Sequence, residues 1–369
     1  MMMYLSLNDV LAITSMGGDM KITRLLMLFL LALLPALSWG ATREFNMTIE
    51  EVKLHVAPDL DYKVFAFNGQ VPGPLIHVKE GDDLIVHVTN NTSLPHTIHW
   101  HGTYQTNTWK NDGVPGITQE AIQPGDTFTY KFKATKPGTL WYHCHVNVNE
   151  HVGIRGMWGP MIVDPIKPLP IEKTVTKDVI MMFSGWESKD AEKYGQGGTP
   201  YDVTDYFTIN GKSFPLTQPI RVKKGDVVRV RFIGAGGEFH EMHSHGHDML
   251  VTHKDGLPLP KPYYADTVLV GPGERYDVII KMDNPGRFIF HDHIDRHVTA
   301  RGKYPGGAIT IIEYDGIPKE PWYVWKDKDK DYDPNFFYSE SMKQGYGIFN
   351  SSGFAGTPIE KSHRRHEHE

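Results

Sequence analysis

Residues 140–157 read LWYHCHVNVNEHVGIRGM. They hold the only cysteine of the 369-residue chain, Cys144, between His143 and His145, and His151 and Met157 follow. Along a β-strand successive side chains point to opposite faces. His143 and His145 therefore share one face, about 6.6 Å apart at the usual rise per residue, and Cys144 points to the other. One strand can then serve two sites back to back. A lone cysteine is more often a small buried hydrophobe than a ligand, so this stretch has to be weighed against the rest of the chain.

The rest of the chain repeats itself. Phe67-Asn-Gly-Gln recurs as Ile209-Asn-Gly-Lys, and His77-Val-Lys-Glu-Gly-Asp as Arg221-Val-Lys-Lys-Gly-Asp. His96-Thr-Ile-His-Trp-His-Gly recurs as His240-Glu-Met-His-Ser-His-Gly, and Gln123-Pro-Gly-Asp as Gly271-Pro-Gly-Glu. Lys136-Pro-Gly-Thr-Leu-Trp-Tyr-His-Cys-His recurs as Asn284-Pro-Gly-Arg-Phe-Ile-Phe-His-Asp-His. The order is kept, and subtracting His99 from His243 gives an offset of 144 residues. Between these segments run short alternating stretches such as Asp83-Leu-Ile-Val-His-Val, punctuated by Gly, Pro and Asn, which are strand signals. A duplicated all-β chain follows: two tandem β-sandwiches over 41–165 and 176–316. A proline-rich linker spans 166–175 and an extension spans 317–369. In that extension Trp322, Trp325, Phe336 and Phe337 suggest a part that packs on something, whereas Lys326–Asp333 and the His-rich end read as solvated.

Each half carries one early and one late His-x-His. These are His99/His101 and His143/His145, then His243/His245 and His291/His293. Four pairs at equivalent positions are poorly explained as satisfied core histidines, because buried imidazoles need partners. Neutral imidazole suits copper, zinc and iron, and the scarcity of carboxylates in the set argues against magnesium or calcium. Two His and a Cys near an axial Met form the ligand set of a blue-copper electron-transfer site.

Composition narrows the class. The chain has 40% apolar residues and a formal charge of -6, which gives no case for nucleic acid. From Met20, a more natural start than Met1, Lys21 and Arg24 precede an apolar run at Leu25–Leu37 and the small residues around Gly40 and Ala41. This region (1–40) reads as a removed export signal, too short for a membrane anchor. A periplasmic or extracellular bacterial protein is expected. A single free thiol is a liability there, which favours an occupied Cys144.

The motifs resemble those of multicopper oxidases. His-Trp-His-Gly, then Asp112-Gly-Val-Pro-Gly-Ile-Thr-Gln, then His-Cys-His with a following His and Met, occur in that order in laccases, and the match spans nearly all of 41–315. With two domains, the chain is similar to two-domain laccase-like oxidases with the type 1 copper in the first domain. The resemblance implies two cupredoxin-like Greek-key domains and four copper ions per functional unit. It implies type 1 copper at His96, Cys144, His151 and Met157, with Met161 as an alternative axial ligand because the spacings after Cys144 are stretched. Type 2 copper falls to His99 and His243. The type 3 pair falls to His101, His143, His145, His245, His291 and His293. Asp112 matches a proton-relay position, Glu150 being a weaker candidate, and the edge of His151 matches the point of electron entry. The implied reaction is oxidation of phenols, aromatic amines or Cu(I), coupled to four-electron reduction of O2 to water in a homotrimer. The competing readings are a copper-containing nitrite reductase, which does not need all four pairs, and a non-catalytic copper carrier. Asp292 stands where a second thiolate would be, so a vestigial site is expected at His240, Asp292 and His297, and Asp292 needs hydrogen-bond partners if it is buried.

Overall fold

The computed structural model describes residues 40–188, 204–318, 320–321 and 345–359. The expected export signal up to Trp39, the four aromatics of the extension, the charged run at 326–333 and the His-rich end lie outside the described residues, as does most of the loop after Ser184.

Alternation builds the strands. In Asp83–Asn90 the side chains of Leu84, Val86 and Val88 are buried while those between face outward. The first half runs β1 (Thr42–Ala57), β2 (Leu60–Phe67), β3 (Leu75–Lys79), β4 (Asp83–Asn90), β5 (His99–His101), β6 (Thr127–Lys133), β7 (Gly138–His143) and β8 (Trp158–Asp164). The second runs β9 (Lys177–Trp186), β10 (Tyr206–Ile209), β11 (Ile220–Val222), β12 (Val227–Gly234), β13 (His240–Ser244), β14 (Met249–Lys254), β15 (Leu257–Ala265), β16 (Thr267–Val270), β17 (Arg275–Lys281), β18 (Arg287–Asp292) and β19 (Ile309–Tyr314). Two short strands follow, β20 (Gly347–Phe349) and β21 (Thr357–Pro358).

The repeat in the sequence is a repeat in topology. One sheet of the first half has the order β2-β1-β4-β6, and its counterpart in the second half is β10-β9-β12-β17, extended by β14-β15. The other sheets are β3-β8-β7-β5 and β11-β19-β18-β13, extended by β20 and β16 respectively. The parallel pairs also correspond: β1 with β4 and β9 with β12, then β3 with β8 and β11 with β19. The protein is nearly all β, as two tandem β-sandwiches.

Buried polar contacts join the halves. Thr139 of β7 donates to Asp277 Oδ1 and accepts from Arg231 Nη1 at 2.7 Å. Arg231 also pairs with Asp178 and Asp277, and Arg229 with Asp178 and with Glu172 of the linker. Gly138 is held at φ +122°, and a Cβ there would lie 2.4 Å from the Gly256 carbonyl oxygen. Only glycine permits this close approach of the two halves.

The C-terminal segment returns to the first half. β20 pairs antiparallel with β3, and β21 with β1. Ser351 N–H donates to Gln70 Oε1 at 2.8 Å, and Val71 N–H to the Phe354 carbonyl at 3.1 Å. Phe354 is fully buried in the main core. Truncating such a side chain costs about 3–5 kcal/mol. Phe354→Ala is expected to lower unfolding stability by about 3 kcal/mol in urea titration, and a change below about 0.5 kcal/mol would show that the strap does not support the fold.

Candidate metal centre

The register of β5 against β7 builds the first histidine group. His99 sits opposite His143, and His101 opposite Trp141. His99, His101 and His143 bring ligand nitrogens within 4.8 Å of one another. His145, just past the end of β7, joins them with ring centroids 5.4 Å from His99 and 5.9 Å from His143. Trp141 packs against His143 and His101 at 4.4 and 4.9 Å. Hydrogen bonds set which nitrogen is free. His99 Nδ1–H donates to the Asp112 carbonyl at 2.7 Å, and His143 Nδ1–H to the Cys144 carbonyl at 2.8 Å. Both therefore keep a bare Nε2. His101 turns Nδ1 toward His143 Nε2, at 3.4 Å. Gly113 lets the Asp112 carbonyl come so close: its φ is +89°, and a Cβ would meet the Ile98 oxygen at 1.9 Å. The Asp112 carboxylate lies 3.6 Å from His99 Nδ1.

The opposite face holds the cysteine. Cys144 Sγ lies 3.7 Å from His96 Nδ1 and 3.4 Å from His151 Nδ1, and all three residues are buried. His96 is fixed by Thr92 Oγ1 at 2.8 Å from its other nitrogen. The Val146 N–H donates to Cys144 Sγ at 3.4 Å. Met157 is fully buried beside them, accepting from Cys144 N–H at 3.1 Å and donating to the His151 carbonyl at 3.0 Å. Met161 sits opposite Leu140, toward the other end of β7, so Met157 is the methionine adjoining Cys144. The long spacing from Cys144 to His151 is taken up by a single helical turn, α1 (Val148–His151). His151 is 2% exposed, and its exposed chain neighbours are residues 147–149. The longer loop supplies the turn that encloses it.

In the second half His243 sits opposite His291. His243 Nδ1–H donates to the Asp266 carbonyl at 2.9 Å and His291 Nδ1–H to the Asp292 carbonyl at 2.7 Å. His245 Nε2 lies 3.3 Å from His291 Nε2. His293 completes the group, 5.3 Å from His243 and 5.7 Å from His291 between ring centroids. Among the described residues, every ring contact between two of these eight histidines stays within its own group of four. His245 and His293 are exposed.

Asp292 is buried and finds four partners. Its Oδ2 accepts from His240 Nδ1–H at 2.7 Å and His297 Nδ1–H at 2.8 Å. Its Oδ1 accepts from Glu241 N–H at 3.1 Å and Ile294 N–H at 3.0 Å. These bonds hold the carboxyl well below the usual carboxylate range against the opposing effect of burial.

Electrostatics favour neutral nitrogen ligands. Burial, then neighbouring charge, lowers His96 to about 2 and His151 to about 4. Burial and the Arg275 charge lower His101 to about 3. Burial pushes the Cys144 thiol up to about 12. A thiolate in this pocket needs a cation beside it, and a bound metal inverts the local preference in that way.

The multicopper oxidase family profile matches residues 48–168 and 185–301. The chain belongs to the multicopper oxidase family. This multicopper oxidase is similar to the solved multicopper oxidase mgLAC, with 76% identity, TM-score 0.84, and coverage of 86% of this chain and 100% of that one. It is similar to the blue copper oxidase of Nitrosomonas europaea, with 61% identity, TM-score 0.83 and the same coverages. Laccase-2 of Botryotinia fuckeliana is 37% identical over 66% of this chain and 44% of its own length. The chain thus spans about half the length of such curated relatives. A nitrite reductase of Nitrosomonas europaea, at 23% identity and TM-score 0.62, shares the fold. The sandwiches are cupredoxin-like, and the family implies copper. The converging Nδ1, Nδ1 and Sγ atoms and the bare Nε2 atoms fit it.

Sequence reading missed Thr92. A signal exists in the repeat: four residues before His96 stands Thr92, but four before His240 stands Gly236, so the support is confined to the half with the cysteine. Asp266, whose carbonyl orients His243, carries no such mark.

The depressed imidazoles make the copper-free protein acid-sensitive. Each folded pKa lies below the ordinary value of about 6.5, so the unfolded chain binds more protons in between. Their stabilisation is full above pH about 6.5 and is lost as the pH falls toward about 4 for His151, 3 for His101 and 2 for His96. Urea midpoints of copper-free protein should fall across that range. A midpoint that stays flat from pH 7 to 4 would contradict the neutral, buried rings.

Proposed function

We propose that the protein is a laccase-like oxidase that couples one-electron oxidation of phenols, aromatic amines or Cu(I) to reduction of O2 to water. The observation that carries this is one strand end with two chemistries. Cys144 faces His96 and His151, while His143 and His145 face His99 and His101. When bound, copper supplies one-electron transfer at the cysteine site and four-electron reduction of O2 at the histidine sites.

We assign His96, Cys144, His151 and Met157 to a type 1 copper and His99 with His243 to a type 2 copper. His101, His143, His145, His245, His291 and His293 go to a type 3 pair, making four ions per functional unit. The residues do the connecting. Cys144 is joined by its own peptide bonds to His143 and His145, and the His143 ring returns a hydrogen bond to the Cys144 carbonyl. The chain therefore bridges the two sites without a through-space gap. Asp112 holds its carboxylate beside the His99 ring and there can take up and release the protons that O2 reduction consumes. We assign electron entry to His151, next to the exposed 147–149 turn that offers a donor its nearest surface along the chain.

Among the described residues the two groups of four histidines make no ring contact with each other, which supports completion of each cluster by a second copy. A head-to-tail ring satisfies this, and we assign a homotrimer. The exposed His245 and His293 support that assembly. A place outside the cytoplasm, in the periplasm or medium, rests on the export-signal pattern that runs from Lys21 to Ala41.

Copper-loaded protein should hold about four ions per chain, elute as a trimer and consume O2 with a phenol or Cu(I). Cys144→Ser should lose the blue colour, one copper per chain and donor oxidation. A retained blue colour, or a copper content near two per chain, would overturn the assignment, the latter in favour of a nitrite reductase. Asp112→Asn should lower kcat for O2 consumption about 100-fold while copper content and the blue colour stay unchanged. Equal rates across pH 5–8 would remove Asp112 from proton delivery.

A further inference from the structure

A buried cation lies against the cysteine site. Arg155 has no solvent exposure, and its guanidinium carbon sits 3.7 Å over the Phe65 ring centroid. Phe65 presents its ring edge-on to both imidazoles of the site, 4.7 Å from His96 and 5.0 Å from His151. The guanidinium is therefore under about 9 Å from both rings. Its Nη1 lies 3.5 Å from Glu150 Oε1, and its Nη2 lies 3.7 Å from Glu51 Oε1. The Arg155 carbonyl accepts from Phe65 N–H at 2.9 Å, so backbone and side chain together fix Phe65.

The second half provides a contrast within the same molecule. Phe207 stacks on His297 at 3.9 Å, and Arg296 lies over Phe207 at 5.3 Å. That arginine is 47% exposed and pairs with Glu238. The half with Asp292 leaves its arginine in water, where the charge is screened. The half with Cys144 buries its own and holds it nearer its phenylalanine ring, where the charge acts with far less screening. Burying a guanidinium is costly even when it is paired, so a stacking role alone is met more cheaply by the exposed arrangement.

We propose that Arg155 is a positioning residue that raises the electron affinity of the His96–Cys144–His151 site. This rests on the copper assignment proposed for that site. A metal there carries one more positive charge when oxidised than when reduced, so a fixed cation nearby favours the reduced form. The electron comes from the reducing substrate, and Arg155 neither gains nor loses a proton. Its charge also opposes protons on the two imidazoles, adding to the effect of burial at both. Glu150 counters part of this field and is the natural brake on it.

The test is a redox titration of the blue absorption in the copper-loaded full chain, against a one-electron mediator at pH 7. In Arg155→Met the electron-exchange equilibrium should shift about tenfold toward the oxidised site, which is 59 mV for a one-electron couple. Arg155→Lys should restore most of the wild-type value. Glu150→Gln should shift the equilibrium the other way. If Arg155→Met does not fold because Glu150 and Glu51 lose the Arg155 charge, the double variant with Glu150→Gln is compared with Glu150→Gln alone, relative to which it should shift toward the oxidised site. An Arg155→Met protein with the wild-type mediator equilibrium, or a double variant with that of Glu150→Gln alone, would overturn the proposal, as would a Glu150→Gln value that does not rise. A wild-type protein with no blue band after copper loading would instead overturn the copper assignment, and the two failures are thus distinct.

Discussion

The pairing of His99 with His143 across β5 and β7 is the contact on which the molecule turns. It fixes the face of every residue at the end of β7. With His143 committed to the imidazole group, Cys144 must point into the sandwich, where His96 and His151 meet it. A slip of one residue would reverse both faces. The buried Trp100 and Tyr142, opposite each other in the same ladder, hold the register through the core.

Duplication explains the rest of the architecture, and one substitution explains its asymmetry. Both halves keep the same strand order and the same histidine ladders. In the second half the carboxylate of Asp292 replaces the cysteine. Two N–H···O bonds from His240 and His297 then draw the three groups together, as His96 and His151 converge on Cys144 in the first half. The loop after Asp292 reaches His297 in five residues, whereas that after Cys144 takes seven to reach His151. The added length forms the helical turn that encloses His151.

Burial gives the cysteine site its chemical character. Neutral imidazoles and a reluctant thiol make a pocket that resists both extra protons and a bare thiolate. Such a pocket is stable as a protonated thiol with free imidazoles, or as a thiolate with a cation. Thr92 fixes the orientation of His96 from behind, and Phe65 spaces His96 and His151 from the Arg155 charge. These supports lie outside the ligand motifs.

The sequence by itself determined the all-β class, the duplication and which side chains can share a face, because strand alternation is local and the repeat is linear. It also marked the ligand types, since Cys, His and Met chemistry belongs to the residue. Only the tertiary structure decided which methionine adjoins Cys144, because Met157 and Met161 differ in strand register and not in kind. It alone placed Phe354 in the core of the first half, some 280 positions from its partner Gln70 segment. It alone buried His151 and set a charge near it. Burial and field are sums over neighbours distant in the chain, and no local pattern records them.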